Sequence, residues 1–70
     1  MDPKIILILT KHARDKMNNL GISEMDIEKA ILRGTKMKQT EGFLACYTYY
    51  CVAYKVIKDK VYKVKTVFIG

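Results

Sequence analysis

A histidine and several cations stand together in the segment LTKHARDKM, residues 9–17. Thr10 is a favourable N-cap residue, so we predict that a helix begins directly after it. His12 then lies in the first turn, where the positive end of the helix dipole disfavours imidazolium and favours neutral imidazole. A neutral imidazole can accept a proton, which makes His12 a candidate catalytic base. The alternative interpretation is a structural histidine that helps to close the strand-to-helix junction.

Lys11 and Arg14 add positive charge to a helix end that the dipole already makes positive. This arrangement costs roughly a few tenths of a kcal/mol for each cation, and a bound phosphate would reverse that cost. The two residues therefore indicate an anion-binding helix start, with Arg14 as a second candidate catalytic residue. Lys16, one turn after His12, either joins this patch or is an ordinary solvated lysine. The alternative for the whole group is that the long side chains extend into water.

The second predicted helix provides an internal comparison. Ser23 is a favourable N-cap, and Asp26 completes an acidic variant of the capping box. The acidic residues of this helix come early and its basic residues come late, as the dipole favours, before Gly34 closes it. The chain thus places charge with the dipole in the second helix and against it in the first, which we predict to end at Gly21.

The rest of the chain favours strands. Residues 5–9, preceded by Pro3, form a short β-branched and Leu-rich stretch typical of one strand. Residues 37–41 give a weaker strand signal, and the segments FLACYTYYCVAYKVI and KVYKVKTVFI are rich in aromatic and β-branched residues. We therefore predict an α+β fold in which two helices pack on one face of a sheet of three or four antiparallel strands, in the order β-α-α-β-β-β.

A three-residue turn at residues 58–60 gives the last two strands a consistent register. It pairs residue 57 with 61, 56 with 62, 54 with 64 and 52 with 66. One face then carries Val52, Tyr54, Val56, Tyr62, Val64 and Thr66. The other face carries Lys55, Lys63 and Lys65, which are candidate nucleic-acid-binding residues together with Lys11 and Lys16. Only Tyr49 or Tyr50 is left as a surface on which a base can stack.

Cys46 and Cys51 lack the further Cys or His residues that a zinc site needs, so we predict no metal and no cofactor. A two-residue turn at residues 49–50 and a four-residue loop both place these cysteines on the same side of the sheet. A cross-strand disulfide is therefore geometrically conceivable. Because we expect a cytoplasmic and thus reducing environment, we predict free thiols.

The composition of the chain indicates which partners and which cellular compartment to expect. The 70 residues include 13 Lys and Arg against 7 Asp and Glu, a net charge of +6, which favours polyanionic partners such as RNA, DNA, acidic proteins or anionic lipid. The apolar stretch at residues 5–9 is shorter than the hydrophobic region of a signal peptide. No segment is long enough to span a membrane, so we predict a cytoplasmic protein without membrane contact.

The segment TKHARDKMNNLGIS, followed by EMDIEKAI, resembles the start of small RelE-like or BrnT-like domains of the RelE/ParE toxin group. The closing segment KVKTVFI is also similar to the last strand of those domains. The resemblance implies one RelE-like domain over residues 1–70, with a helix pair on one side of an antiparallel sheet. It also implies RNA, the ribosome or a cognate antitoxin-like protein as partners. Because His12 stands in the Thr-Lys-His-Ala motif of those domains, the resemblance implies a functional role for His12. It implies such a role less directly for Arg14.

Two functions follow from these observations. The first is a RelE/ParE toxin-like binding module for RNA or a protein partner, monomeric or dimeric through an exposed edge at residues 5–9. The alternative is a metal-independent endoribonuclease, an mRNA interferase of a toxin–antitoxin system. There His12 would act as general base or acid for attack of a ribose 2′-hydroxyl on the adjacent phosphate. Arg14, Lys55, Lys63 and Lys65 would stabilise the developing charge, which requires the helix start and the basic face to meet.

Overall fold

The computed structural model describes residues 5–70, which form two helices and one five-stranded sheet. In chain order the elements are β1 (Ile6–Leu9), α1 (Lys11–Leu20), α2 (Glu24–Arg33), β2 (Thr35–Gln39), β3 (Gly42–Tyr47), β4 (Tyr50–Lys58) and β5 (Val61–Ile69). The strands lie side by side in the order β1-β5-β4-β3-β2. The role assigned to Pro3 at the start of the first strand falls outside the described residues.

The α+β class is confirmed, but the sheet has five strands and is mixed. β2 to β5 run antiparallel to their neighbours, whereas β1 pairs in parallel with β5, with Ile6 beside Val61 and Leu9 beside Val64. The prediction of three or four antiparallel strands is therefore wrong. Hydrophobic patterning identifies a strand but does not identify the strand beside it, and β1 meets a partner from the far end of the chain.

Both helices begin at the predicted caps. The Thr10 hydroxyl accepts a hydrogen bond from the Ala13 N–H at 3.1 Å. The same hydroxyl donates a hydrogen bond that is shared by two carbonyls, those of Val64 at 3.1 Å and Lys65 at 3.2 Å. One side chain therefore caps α1 and fastens it to β5. Gly21, with φ 69°, closes this helix in the left-handed conformation that favours glycine.

The capping box of α2 is present, because Ser23 and Asp26 each accept from the backbone N–H of the other. The helix ends at Gly34, whose N–H bonds to the Ala30 carbonyl at 2.9 Å. A Cβ at Gly34 would lie 2.5 Å from the Ala30 oxygen and 2.6 Å from the Cys46 oxygen. Only glycine lets α2 end this close to β3.

The predicted β4–β5 register is correct at its centre and wrong at both ends. Tyr54 lies opposite Val64, Lys55 opposite Lys63 and Val56 opposite Tyr62, as predicted. The ladder then shifts, so that Val52 pairs with Val67 and Ala53 with Thr66.

Lys65 is the extra residue of this bulge, and Thr66 consequently lies on the face opposite to the predicted one. A second irregularity at Ile57 pairs Lys58 with Val61, which shortens the turn to residues 59–60. Alternation alone carries no signal for either shift.

The β3–β4 register is the one that the four-residue loop would give, with Cys46 directly opposite Cys51, but the turn itself has only two residues. It consists of Thr48 and Tyr49, with Tyr47 opposite Tyr50 and Thr48 at φ 53°. Tyr50 is consequently 3% exposed, and its hydroxyl donates to the Asp26 carbonyl at 2.7 Å. Tyr50 is thus part of the core rather than a stacking surface, and Tyr49 is left exposed.

The core lies between the helices and one face of the sheet. Its members come from both helices and from the three central strands, and they include Ala13, Ile27, Ala30, Ala45, Val52, Tyr54, Val64 and Val67. The α1 helix packs against β5, and α2 packs against β3 and β4. Both helices therefore cover the same face, as the sequence predicted.

We expect Thr10→Val to lower the free energy of unfolding by about 1 to 2 kcal/mol, because the substitution removes both the cap and the link to β5. Thr10→Ser retains the hydroxyl and should lose much less. Urea unfolding followed by circular dichroism measures both variants. Equal stability of the Val and Ser variants would show that the hydroxyl contributes nothing.

Candidate functional site

The sheet has a second face that none of the helices in residues 5–70 covers, and we call it the open face. Strand alternation, with the bulge at Lys65, sets its members. They are Ile6, Ile8, Thr35, Met37, Gln39, Leu44, Cys46, Cys51, Ala53, Lys55, Lys58, Val61, Lys63, Lys65, Thr66 and Phe68. The open face thus combines an apolar surface with lysines.

Lys55 and Lys63 lie directly opposite each other on β4 and β5, and both are exposed. Like charges at directly opposite positions destabilise an antiparallel pair. An acidic neighbour would relieve the repulsion, yet no Asp or Glu stands in any of the five strands. The strands do carry lysines, namely Lys36, Lys38, Lys55, Lys58, Lys63 and Lys65. The open face is therefore a basic surface without internal compensation.

Lys65 also lies on the open face, but its ammonium group is partly engaged. The side chain is half-buried, and its Nζ donates to the Glu41 carbonyl at 2.6 Å, in the turn between β2 and β3. To make this contact, the Lys65 side chain extends from β5 over the neighbouring strand β4. An ammonium group has three donors, so Lys65 still has hydrogen atoms for another acceptor.

The cations of α1 stand elsewhere. Lys11, His12 and Arg14 are exposed and Lys16 is half-buried, on a helix that packs against the core side of β5. Thr10 fastens the start of this helix to the backbone of Val64 and Lys65.

His12 and Lys63 thus lie near the same stretch of β5 but on opposite sides of the sheet. The structure brings Lys55 and Lys63 together and leaves His12 apart from them. A ligand that contacts both groups has to pass around the edge strand β1.

The tyrosines of the core do not offset the positive charge. Burial raises the pKa of the Tyr50 phenol, and the nearby Asp26 raises it further. Burial also raises the pKa of Tyr54, with a smaller effect from Tyr62. Both phenols therefore stay neutral at physiological pH.

Cys46 and Cys51 face each other on the open face and form a disulfide, with their Cα atoms 4.0 Å apart. The prediction of free thiols is therefore wrong. It rested on the expected compartment, whereas the pairing follows from the position of the turn at Thr48 and Tyr49. That turn places the two cysteines directly opposite each other.

Phe68, like Thr66, lies on the open face although the predicted register does not place it there. It lies opposite Cys51 and is half-buried. The predicted register placed Thr66 on the core side, and the bulge at Lys65 reverses the phase of everything that follows it. Nothing in the alternation of KVKTVFI signals that reversal.

No group of three or more His, Cys, Asp or Glu side chains in residues 5–70 is placed to hold a metal ion. None of the helices that the structure describes is both long and apolar enough to span a bilayer.

Comparison with known proteins identifies the family. A family model described as a domain of unknown function (DUF4258) matches residues 9–69, from the end of β1 through β5. The chain belongs to this family. No curated protein and no solved structure gives a significant match. The resemblance to the RelE/ParE group therefore stays a prediction.

Proposed function

We propose that this chain binds RNA through the lysines of its open face. The observation that carries the proposal is the opposed pair Lys55 and Lys63 on strands without a carboxylate. A fold that tolerates such a pair loses stability to repulsion, and an anion between the two ammonium groups recovers it. An RNA backbone carries such anions, its phosphates, at regular spacing along the chain.

The geometry favours contacts to phosphate over contacts to bases. Side chains at directly opposite strand positions start about 5 Å apart, so both ammonium groups can reach one phosphate. Lys65 lies in the next part of β5 and extends the line. Phe68 is the one phenylalanine of the open face and is half-buried, so stacking contributes little. Binding should therefore depend strongly on salt and weakly on base sequence.

A second candidate is the metal-independent endoribonuclease that the RelE/ParE-like resemblance suggests. Its support in the structure is the exposed His12 in the first turn of α1, beside Lys11 and Arg14. In this reaction His12 would accept the proton of a ribose 2′-hydroxyl as its oxygen attacks the adjacent phosphorus. The bond to the 5′-oxygen of the next nucleotide breaks, this oxygen takes up a proton and leaves as a hydroxyl, and a 2′,3′-cyclic phosphate remains. The RNA would have to pass from the open face around β1 to reach His12.

We infer that a protein partner, such as an antitoxin-like protein, binds at the free edge of β1, beside the lysines of the open face. β1 is an edge strand, and its Ile6 and Ile8 side chains are 59% and 44% exposed. The Ile6 N–H bonds to the carbonyl of Lys60, just before β5, and the Thr10 N–H bonds to the Val64 carbonyl of β5. The backbone groups of Leu7 therefore point toward the free edge. The other edge, β2, carries lysines that discourage strand addition, and β1 carries none. The same apolar edge also permits a homodimer.

For RNA binding, we expect the double substitution of Lys55 and Lys63 by Ser to weaken binding of single-stranded RNA. It should also lower the slope of log affinity against log salt by about 1.4, or about 0.7 for each lost phosphate contact. Fluorescence anisotropy of a labelled RNA between about 50 and 200 mM salt measures both quantities.

The matched control substitutes Lys36 and Lys38 by Ser. It removes the same two charges from the net +6, but from side chains of β2 that do not belong to the open face. Equal loss in the two variants would mean that net charge alone attracts RNA. An affinity independent of salt would remove phosphate binding altogether.

For the nuclease, induction of the chain in a bacterial host should arrest growth and shorten mRNA, and His12→Ala should relieve both effects. Asn18→Ala, at another exposed position of α1, should leave them unchanged. Primer extension on cellular mRNA detects the cuts. Arrest that persists undiminished in the His12 variant, or no arrest at all, would exclude His12 from catalysis.

For the protein partner, we expect a small antitoxin-like protein encoded beside this chain to co-purify with it, and Ile8→Lys to weaken that complex at least tenfold. Met25→Lys introduces the same charge at an exposed position of α2 and should have no effect. Calorimetric titration of the purified pair compares the two variants. A complex that tolerates both substitutions equally does not use the β1 edge.

A further inference from the structure

We propose that Cys46 and Cys51 form a thiol–disulfide exchange site whose co-substrate is a dithiol, either small or on a protein. The cysteines pair next to the two-residue turn of the β3–β4 hairpin, one step beyond Tyr47 and Tyr50. Residues at that step do not exchange backbone hydrogen bonds, and their side chains are the closest in an antiparallel pair. The Cα separation of 4.0 Å belongs to this closer type.

The hairpin holds the two sulfurs together whether or not they are bonded. Backbone pairing runs from Phe43 opposite Tyr54 to Tyr47 opposite Tyr50, on both sides of the cysteines. The disulfide closes a ring over a sequence separation of only 5, so it restricts the unfolded chain less than a long loop would. After reduction the thiols stay neighbours, and the bond can form again within one molecule.

Access to the two sulfurs is unequal. Cys51 is 6% exposed, with Phe68 opposite it and Gly70 so close that a Cβ there would lie 2.8 Å from the Cys51 sulfur. Cys46 is half-buried, on the side toward the edge strand β2. No helix in residues 5–70 shields the open face, so an attacking thiolate reaches Cys46 first.

The exchange is balanced with a dithiol as the reductant. One thiolate of the dithiol attacks the Cys46 sulfur, the Cys46–Cys51 bond breaks, and Cys51 leaves as a thiolate that takes up a proton. The second thiol of the reductant then attacks the mixed disulfide and releases Cys46. The dithiol is oxidised by two electrons, and the protein gains two thiols. A disulfide co-substrate drives the reverse reaction.

The test uses the folded full chain in mixtures of reduced and oxidised dithiothreitol, followed by rapid alkylation and mass spectrometry. We expect both cysteines to gain the alkyl group together in one transition, while the circular dichroism spectrum stays folded. Reoxidation should follow first-order kinetics that do not depend on protein concentration. Under brief, limiting reductant, the trapped mixed disulfide should lie on Cys46.

Three results would overturn the proposal. Cysteines that resist reduction until urea unfolds the chain would be a structural crosslink. Thiols that never pair under the oxidised buffer would be free cysteines held near each other. Attack on Cys51 instead of Cys46 would contradict the inferred access.

The double variant with Ser at both positions is the control. It should show no mass change in any of these mixtures, and this result does not depend on whether the chain binds RNA.

Discussion

The junction at Thr10 holds the two layers of the molecule together. Its hydroxyl accepts from the first turn of α1 and donates to two carbonyls of β5, 54 and 55 residues away along the chain. These carbonyls belong to Val64 and to the bulge residue Lys65. A bulge leaves backbone groups outside the regular ladder, and here a side chain of the helix cap satisfies them. The cap, the bulge and the position of α1 are therefore one structural unit.

This unit decides what the open face contains. Without the bulge, Thr66 would face the core, and Phe68 would point to the same side. With it, Val67 fills the core beside Val52, and Phe68 joins the cysteines on the open face. The lysine pair Lys55 and Lys63 lies on the turn side of the bulge and is unaffected by it. The bulge at Lys65 thus decides which face carries Phe68, whereas the pairing of Lys55 with Lys63 depends on the irregularity at Ile57.

Local signals predicted the local structure. Thr10, Ser23, Asp26 and Gly21 act over one helical turn, so the caps of both helices are evident from the chain. The opposition of Lys55 and Lys63 was predicted from a three-residue turn and a period of two. The structure reaches the same pairing with a two-residue turn and the irregularity at Ile57. The bulge at Lys65 and the neighbour of β1 depend on contacts between residues far apart in the chain. A one-dimensional pattern does not contain those contacts, which is why the parallel pair was not predicted. The disulfide is a local contact, and it was not predicted because the expected compartment favoured free thiols.

The parallel pairing of β1 also has a consequence for the order of folding. β1 is the first of the described strands, and the strand beside it, β5, is the last of them in chain order. Until β5 is complete, the residues Ile6 to Leu9 have no sheet to join, and the hydroxyl of Thr10 lacks its two acceptors. Contacts across more than fifty residues also slow folding, because the intervening chain must be ordered first. The apolar strand β1 therefore stays unpaired until β5 has been synthesised, and pairing with β5 then fixes its position in the sheet.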